Sequence, residues 1–249
     1  MIVTKNINFR KFLEWTWVTI LMLVVFMTTV ASLYHFDIIN FNIPWLAISV
    51  IGTAVAFYVG FKNNQAYDRM WEARKIWGGI VNDSRTWGMM VDGFISNLNT
   101  KNQLLSKDIQ SIKRRLIYRH VAWVYTHRKQ LLVPTQWEQQ YKTASVALIA
   151  EHYKNEDGLG NIDDEFTHRL LEKAEHDRLT VKANSATQLI NEQSRDLRKL
   201  REEGLIDDFR HMELSKVLSK LYTLQGKNER IKKFPFRVQL IHYLKLKIN

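Results

Sequence analysis

The chain has 249 residues, no cysteine, three prolines and ten glycines. The missing cysteines exclude disulfides, thiolate catalysis and cysteine metal sites, and so little proline and glycine favours long helices over an all-β fold. The formal net charge of +11 admits nucleic acid, anionic lipid or small anions as partners, but beside membrane spans it reads most simply as a positive-inside cytoplasmic region.

Residues 1–14 form a short basic lead-in with Lys5, Arg10 and Lys11. Trp15 to Tyr34 then runs for twenty residues without a charge, which at helical rise covers roughly the 30 Å hydrocarbon core of a bilayer. A short turn through Asp37 and Asn42 leads to a second uncharged run, Ile43 to Phe61. Asn42 is a candidate N-cap, and Pro44 is tolerated in a first helical turn, where its missing N–H needs no partner. Trp15, Trp17, Tyr34 and Trp45 fall near the predicted ends, where interfacial aromatics belong. The turn carries no Lys or Arg, whereas Lys62, Arg69, Arg74 and Lys75 follow the second span. Both ends of the hairpin are therefore expected in the cytoplasm.

The second span has internal spacing of four. Gly52, Ala56 and Gly60 make a small-residue stripe on which a neighbouring helix could pack closely. Thr53, Phe57 and Phe61 run beside it. Repeated around several chains, these three would form an apolar constriction of the kind that gates by dewetting. From spacing alone, the two phenylalanines serve equally well packed against lipid or the first span.

From Lys62 onward the pattern stays helical but turns polar, with no breaker before Gly78. The membrane helix is expected to continue for several turns, with Asp68 and Glu72 pairing locally with Arg69 and Lys75. Ile109, Ile112, Leu116, His120 and Trp123 mark one face of a basic amphipathic helix whose other face holds Lys113, Arg114 and Arg115. Val133-Pro134-Thr135 ends it. A shorter helix is expected around Ala144–Tyr153 and a loop at Lys154–Asp164. Ala186, Leu189, Ile190, Leu197 and Leu200 predict a further helix stopped by Gly204. Asp207 or Asp208 caps the next, whose apolar positions are Leu214, Leu218, Leu221 and Leu224. Nothing reads as a strand.

Enzymatic chemistry is not legible. Asn155-Glu156-Asp157-Gly158 puts Tyr153 where a calcium loop needs aspartate. Glu165 and His168 have the spacing of half a di-iron site without a second copy, and Glu172, Glu175 and His176 read as a charged helix face. Phosphate-loop, HExxH, GxGxxG and GxSxG motifs are absent. No enzyme activity, cofactor, metal or nucleic-acid partner is expected.

Gly60-Phe61-Lys62-Asn63-Asn64, Tyr67, Arg69, Glu72-Ala73-Arg74 and Trp77-Gly78 match the pattern GF(K/R)NN-x-x-Y-x-R-x-x-E-A-R-x-x-W-G of bacterial bestrophin homologues. Asn228-Glu229-Arg230-Ile231 and Phe234-Pro235-Phe236 resemble the family's segment ahead of its later transmembrane helices. The resemblance implies an all-α ion channel of five identical chains in the plasma (inner) membrane. It carries small inorganic ions, chloride and other anions in the animal branch and cations in some bacterial relatives. It implies a pore neck at Thr53, Phe57 and Phe61, with Thr53 departing from the apolar pattern, and a cytoplasmic aperture near Phe209. The family has two more membrane helices after Phe-Pro-Phe, whereas residues 237–249 hold no span-length apolar run and read as a truncated or frameshifted tail. The expected organisation is thus a hairpin (15–34, 43–61), a cytoplasmic helical region (62–236) and an atypical tail. The alternative is a non-conducting membrane-anchored scaffold or inactive channel fragment.

Overall fold

A computed structural model describes residues 9–36, 38, 44–97, 100, 103–133 and 169–233. They form six helices and no strand: α1 (Phe9–His35), α2 (Trp45–Phe94), α3 (Ser106–Leu132), α4 (Lys173–Thr180), α5 (Ser185–Glu202) and α6 (Asp208–Lys233). The all-α expectation holds among these residues. The expected features at Asn42, Ala144–Tyr153, Lys154–Asp164, Glu165, His168 and residues 234–249 lie outside them.

The chain divides into two units, one holding α1 and α2 up to Tyr67, the other beginning at Asp68. In the first, every residue from Trp17 to Ser32 and from Pro44 to Phe61 is exposed. Water would not tolerate two such apolar helices laid open, whereas lipid would. Four of their hydroxyls are satisfied within the helix. Thr28 and Thr29 donate to the carbonyls of Val24 and Val25 at 2.7 and 2.8 Å, and Ser49 and Thr53 to those of Leu46 and Ser49 at 2.9 and 2.8 Å. Such internal satisfaction is what a bilayer requires of buried polar atoms. Pro44 stands immediately ahead of α2, its carbonyl accepting the Ala47 N–H at 3.1 Å.

α2 does not stop where its apolar run ends. It runs on to Phe94, 50 residues in all from Trp45. In the second unit it buries Ile76, Ile80, Trp87 and Val91, one side of the helix. That face meets Leu116, Ala122 and Trp123 of α3, Leu189, Leu197 and Leu200 of α5, and Leu214, Leu218 and Leu221 of α6 in one core. The apolar periodicities expected for α3, α5 and α6 are thus the buried faces, with Ile109, Ile112 and Leu224 half-buried against them.

The helix ends follow sequence chemistry. Gly204 closes α5 with φ 74°, a conformation that costs glycine nothing. The Leu205 N–H returns to Leu200 O at 2.9 Å and that of Gly204 to Arg201 O at 3.1 Å, a Schellman pairing. Asp207, rather than Asp208, caps α6 by accepting the Arg210 N–H at 2.8 Å. Three C-termini are each closed by a cation from another helix. Arg210 donates to Phe94 O of α2 at 3.0 Å, Lys232 donates to Gln130 O of α3 at 3.3 Å and also to Leu131 O, and Arg69 donates to Ile231 O of α6 at 2.5 Å. Each places positive charge at the negative end of a helix dipole.

One expectation fails. Glu175 and His176 do not lie on a solvated charged face; both are buried. The reason is Arg119 of α3, which carries a compensating charge into the interior. Its Nε and Nη2 donate to the two carboxylate oxygens of Glu175 at 2.5 and 2.9 Å, and its Nη1 to Asp196 at 2.6 Å. Burial opposes a charged guanidinium, yet the two carboxylates outweigh it and raise the Arg119 pKa above its ordinary value.

Candidate functional site

The candidate site lies in the apolar part of α2. Residues four apart on a helix sit nearly above one another, so Thr53, Phe57 and Phe61 share a slowly winding stripe. Phe57 and Phe61 are 62% and 63% exposed. Their rings stack with centroids 6.2 Å apart and planes inclined by 23°. The stripe therefore ends in an apolar surface two rings long. At the other end the Thr53 hydroxyl commits its proton to Ser49 O, leaving oxygen lone pairs outward.

One residue back along the helix runs Gly52, Ala56 and Gly60. A methyl group built on Gly52 or Gly60 would meet no atom within 4 Å, so this face is open too. Two adjacent faces of one helix, one aromatic and one nearly flat, are thus uncovered in the single chain. Phe209, in the first turn of α6, is 81% exposed. It belongs to the second unit.

The segment that carries the sequence signature does positioning work in the second unit. Arg69 closes the end of α6, as above. Glu72 pairs with Lys75 at 2.6 Å, and that hydrogen bond holds its carboxyl below the usual range. Trp77 lies 5.9 Å from the His127 ring of α3. A methyl group on Gly79 would sit 3.2 Å from Leu224 of α6. Within the signature, Arg69 and Trp77 dock the polar continuation of α2, whereas Phe61, Asn63, Asn64, Tyr67 and Arg74 are exposed. Arg69, read from sequence as part of a local set of pairs with Asp68, Glu72 and Lys75, also reaches 162 residues along the chain.

Sequence reasoning missed the Arg119 cluster and the partners of the buried histidines. His120 packs between Trp87 at 6.2 Å and Trp123 at 5.4 Å. His127 stacks on Trp123 at 5.9 Å and receives a hydrogen bond from Asn228 at 3.2 Å. Burial pushes both imidazoles down to about 4, with Glu229 pulling His127 slightly the other way. Among the described residues no group of three or more His, Asp or Glu side chains is placed to hold a metal ion.

An all-helical chain with two exposed apolar helices of bilayer length is a helical membrane protein. It belongs to the bestrophin family: the profile of the family described as Bacterial/Fungal Bestrophin protein matches residues 11–243. The voltage-dependent anion channel-forming protein RSc3414 of Ralstonia nicotianae is 48% identical over 52 residues, 21% of this chain and 17% of that protein. The voltage-dependent anion channel-forming protein mll4386 of Mesorhizobium japonicum is 35% identical over 75 residues, 30% of this chain and 24% of that protein. These matches thus span a quarter or less of the relatives' length. Crystal structures of a bacterial bestrophin homolog from Klebsiella pneumoniae share the fold. One matches with TM-score 0.63 and 18% identity over 96% of this chain and 74% of its own, and a second with TM-score 0.64 and 20% identity over 92% and 72%.

Proposed function

We propose that the chain is a subunit of a bestrophin-type channel that passes small ions passively across the plasma membrane. Five copies surround an axis lined by α2. Thr53, Phe57 and Phe61 form the neck, Gly52, Ala56 and Gly60 receive a neighbouring helix, and Phe209 narrows the pathway again in the cytoplasmic region. Both ends of the hairpin face the cytoplasm, residues 62–236 form the cytoplasmic part, and no chemical step is involved.

The observation that carries this reading is the open stripe on α2, two stacked phenylalanines and a threonine on an uninterrupted helix. A lipid-facing stripe would have no need of the adjoining flat glycine face, whereas a close-packed ring of helices uses both. Family membership and the relatives' names support small anions as the first ions to try. The test is the mass of the purified chain in detergent together with its currents in a planar bilayer. Five copies with a conductance are expected; a silent monomer would contradict the reading.

A further inference from the structure

The second unit contains a continuous row of five rings in contact from two helices, Trp77, His127, Trp123, His120 and Trp87, with successive centroids 5.9, 5.9, 5.4 and 6.2 Å apart; His127 and Trp123 are parallel and the other pairs are tilted by 32–37°. Trp77 and Trp87 come from α2, the other three from α3. The row is tied sideways to α6, because Trp123 Nε1 donates to Gln225 Oε1 at 2.9 Å and Asn228 Nδ2 donates to His127 Nε2 at 3.2 Å. The structure assigns this Trp–His column the role of an acid-released latch, which holds α2, α3 and α6 together while both imidazoles are neutral and lets them part when either is protonated.

The chemistry of each histidine supports this. An amide N–H can only donate, so His127 Nε2 is the bare nitrogen and its proton sits on Nδ1. Adding a second proton would set N–H against N–H, so the Asn228 bond in this orientation is lost unless the amide turns its Oδ1 to the ring. His120 is buried with neither ring nitrogen bonded to any described residue. Its sequence neighbour Arg119 already claims both oxygens of Glu175 on α4 and one of Asp196 on α5. Those carboxylates are therefore committed elsewhere. From α6, Glu229 faces His127 but accepts hydrogen bonds from Gln225 at 2.8 Å and Asn184 at 3.2 Å, and Lys232 adds positive charge at the end of α3. α2 presents the two indoles. A proton arriving on His120 would find a buried ring shifted by burial alone, and one arriving on His127 would find only Glu229, whose pull does not offset burial; stacking on indole returns less than that cost.

The direction follows from burial. Both rings are held near 4 in the folded chain, against about 6.5 once released. The latch is at full strength above that ordinary value and weakens as pH falls from there toward 4. At about pH 5 the opening equilibrium should rise by about 30-fold for each imidazole.

The experiment follows amide hydrogen exchange across Leu116–His127 and tryptophan emission of the intact, detergent-purified chain between about pH 7.5 and 5. Exchange corrected for its intrinsic pH dependence should accelerate by at least one imidazole's share, with emission changing over the same range. His120→Gln/His127→Gln, which retains neutral polar groups, should lose the acid response. Unchanged exchange at the acid end, or an undiminished response in the double variant, would overturn the latch. Should the double variant not fold, 13C-labelled histidine in the unaltered chain decides the matter. Two imidazoles that stay neutral until exchange accelerates support it, and titration of both in the ordinary range with exchange unmoved overturns it.

Discussion

Replacing Arg119 by methionine tests the interior of the second unit most sharply. The side chains of Arg119, Glu175 and Asp196 are 7%, 8% and 10% exposed, so solvent does little to screen them. Removing one partner of a buried ion pair costs about 3–5 kcal/mol, because the remaining charge is stranded. Here the two carboxylates fare differently. Asp196 keeps Arg115, whose Nε lies 3.2 Å from the same oxygen, whereas Glu175 loses both hydrogen bonds to its carboxylate. The lower end of the range, about 3 kcal/mol, is therefore expected. For a protein of this size that corresponds to a fall of roughly 6–12 °C in apparent melting temperature, read by circular dichroism in detergent at a fixed scan rate. Arg119→Met/Glu175→Gln removes the stranded charge and should recover more than half of the loss. A single variant that melts within about 2 °C of the parent, or a double variant no better than the single, would refute the claim that Glu175 depends on Arg119.

Gly204→Ala forces a side chain into the left-handed conformation at φ 74° and should cost about 1 kcal/mol, measured as the same melting shift. Gly79→Val drives a branched side chain into Leu224, already 3.2 Å from a single added carbon. A loss of about 1–3 kcal/mol is expected, and Leu224→Ala in the same chain should return part of it. Lys232→Gln takes the cation from the carbonyls at the end of α3; faster amide exchange should be confined to that end, with the middle of the helix unchanged.

Periodicity revealed what depends on neighbours along the chain. The uncharged runs gave the two exposed helices, and the apolar spacing of Ala186, Leu189, Ile190, Leu197 and Leu200 gave the buried face of α5. Gly204 and Asp207 announced their caps because capping is local chemistry. What escaped depends on partners far away in sequence. Arg119 looks like one more basic residue beside Lys113, Arg114 and Arg115, and only its meeting with Glu175 and Asp196, 56 and 77 residues on, makes it interior. Glu175 was misread for the same reason. His120 was legible as an apolar-face position, but its indole neighbours on α2 were not. Thr53, Phe57 and Phe61, the proposed neck, were legible as a stripe. The direction in which the stripe faces depends on what packs against it, which spacing along one sequence does not encode.

Because the chain contains no cysteine, one thiol can be placed on α2 with no background. Phe57→Cys, reconstituted in a bilayer and exposed to a charged methanethiosulfonate reagent, reports directly on whether ions pass this residue. If the ring sits at the neck, modification will cut or abolish the current, with Thr53→Cys and Phe61→Cys behaving alike. A conducting protein whose current is indifferent to modification at all three positions would mean that this side of α2 faces acyl chains instead.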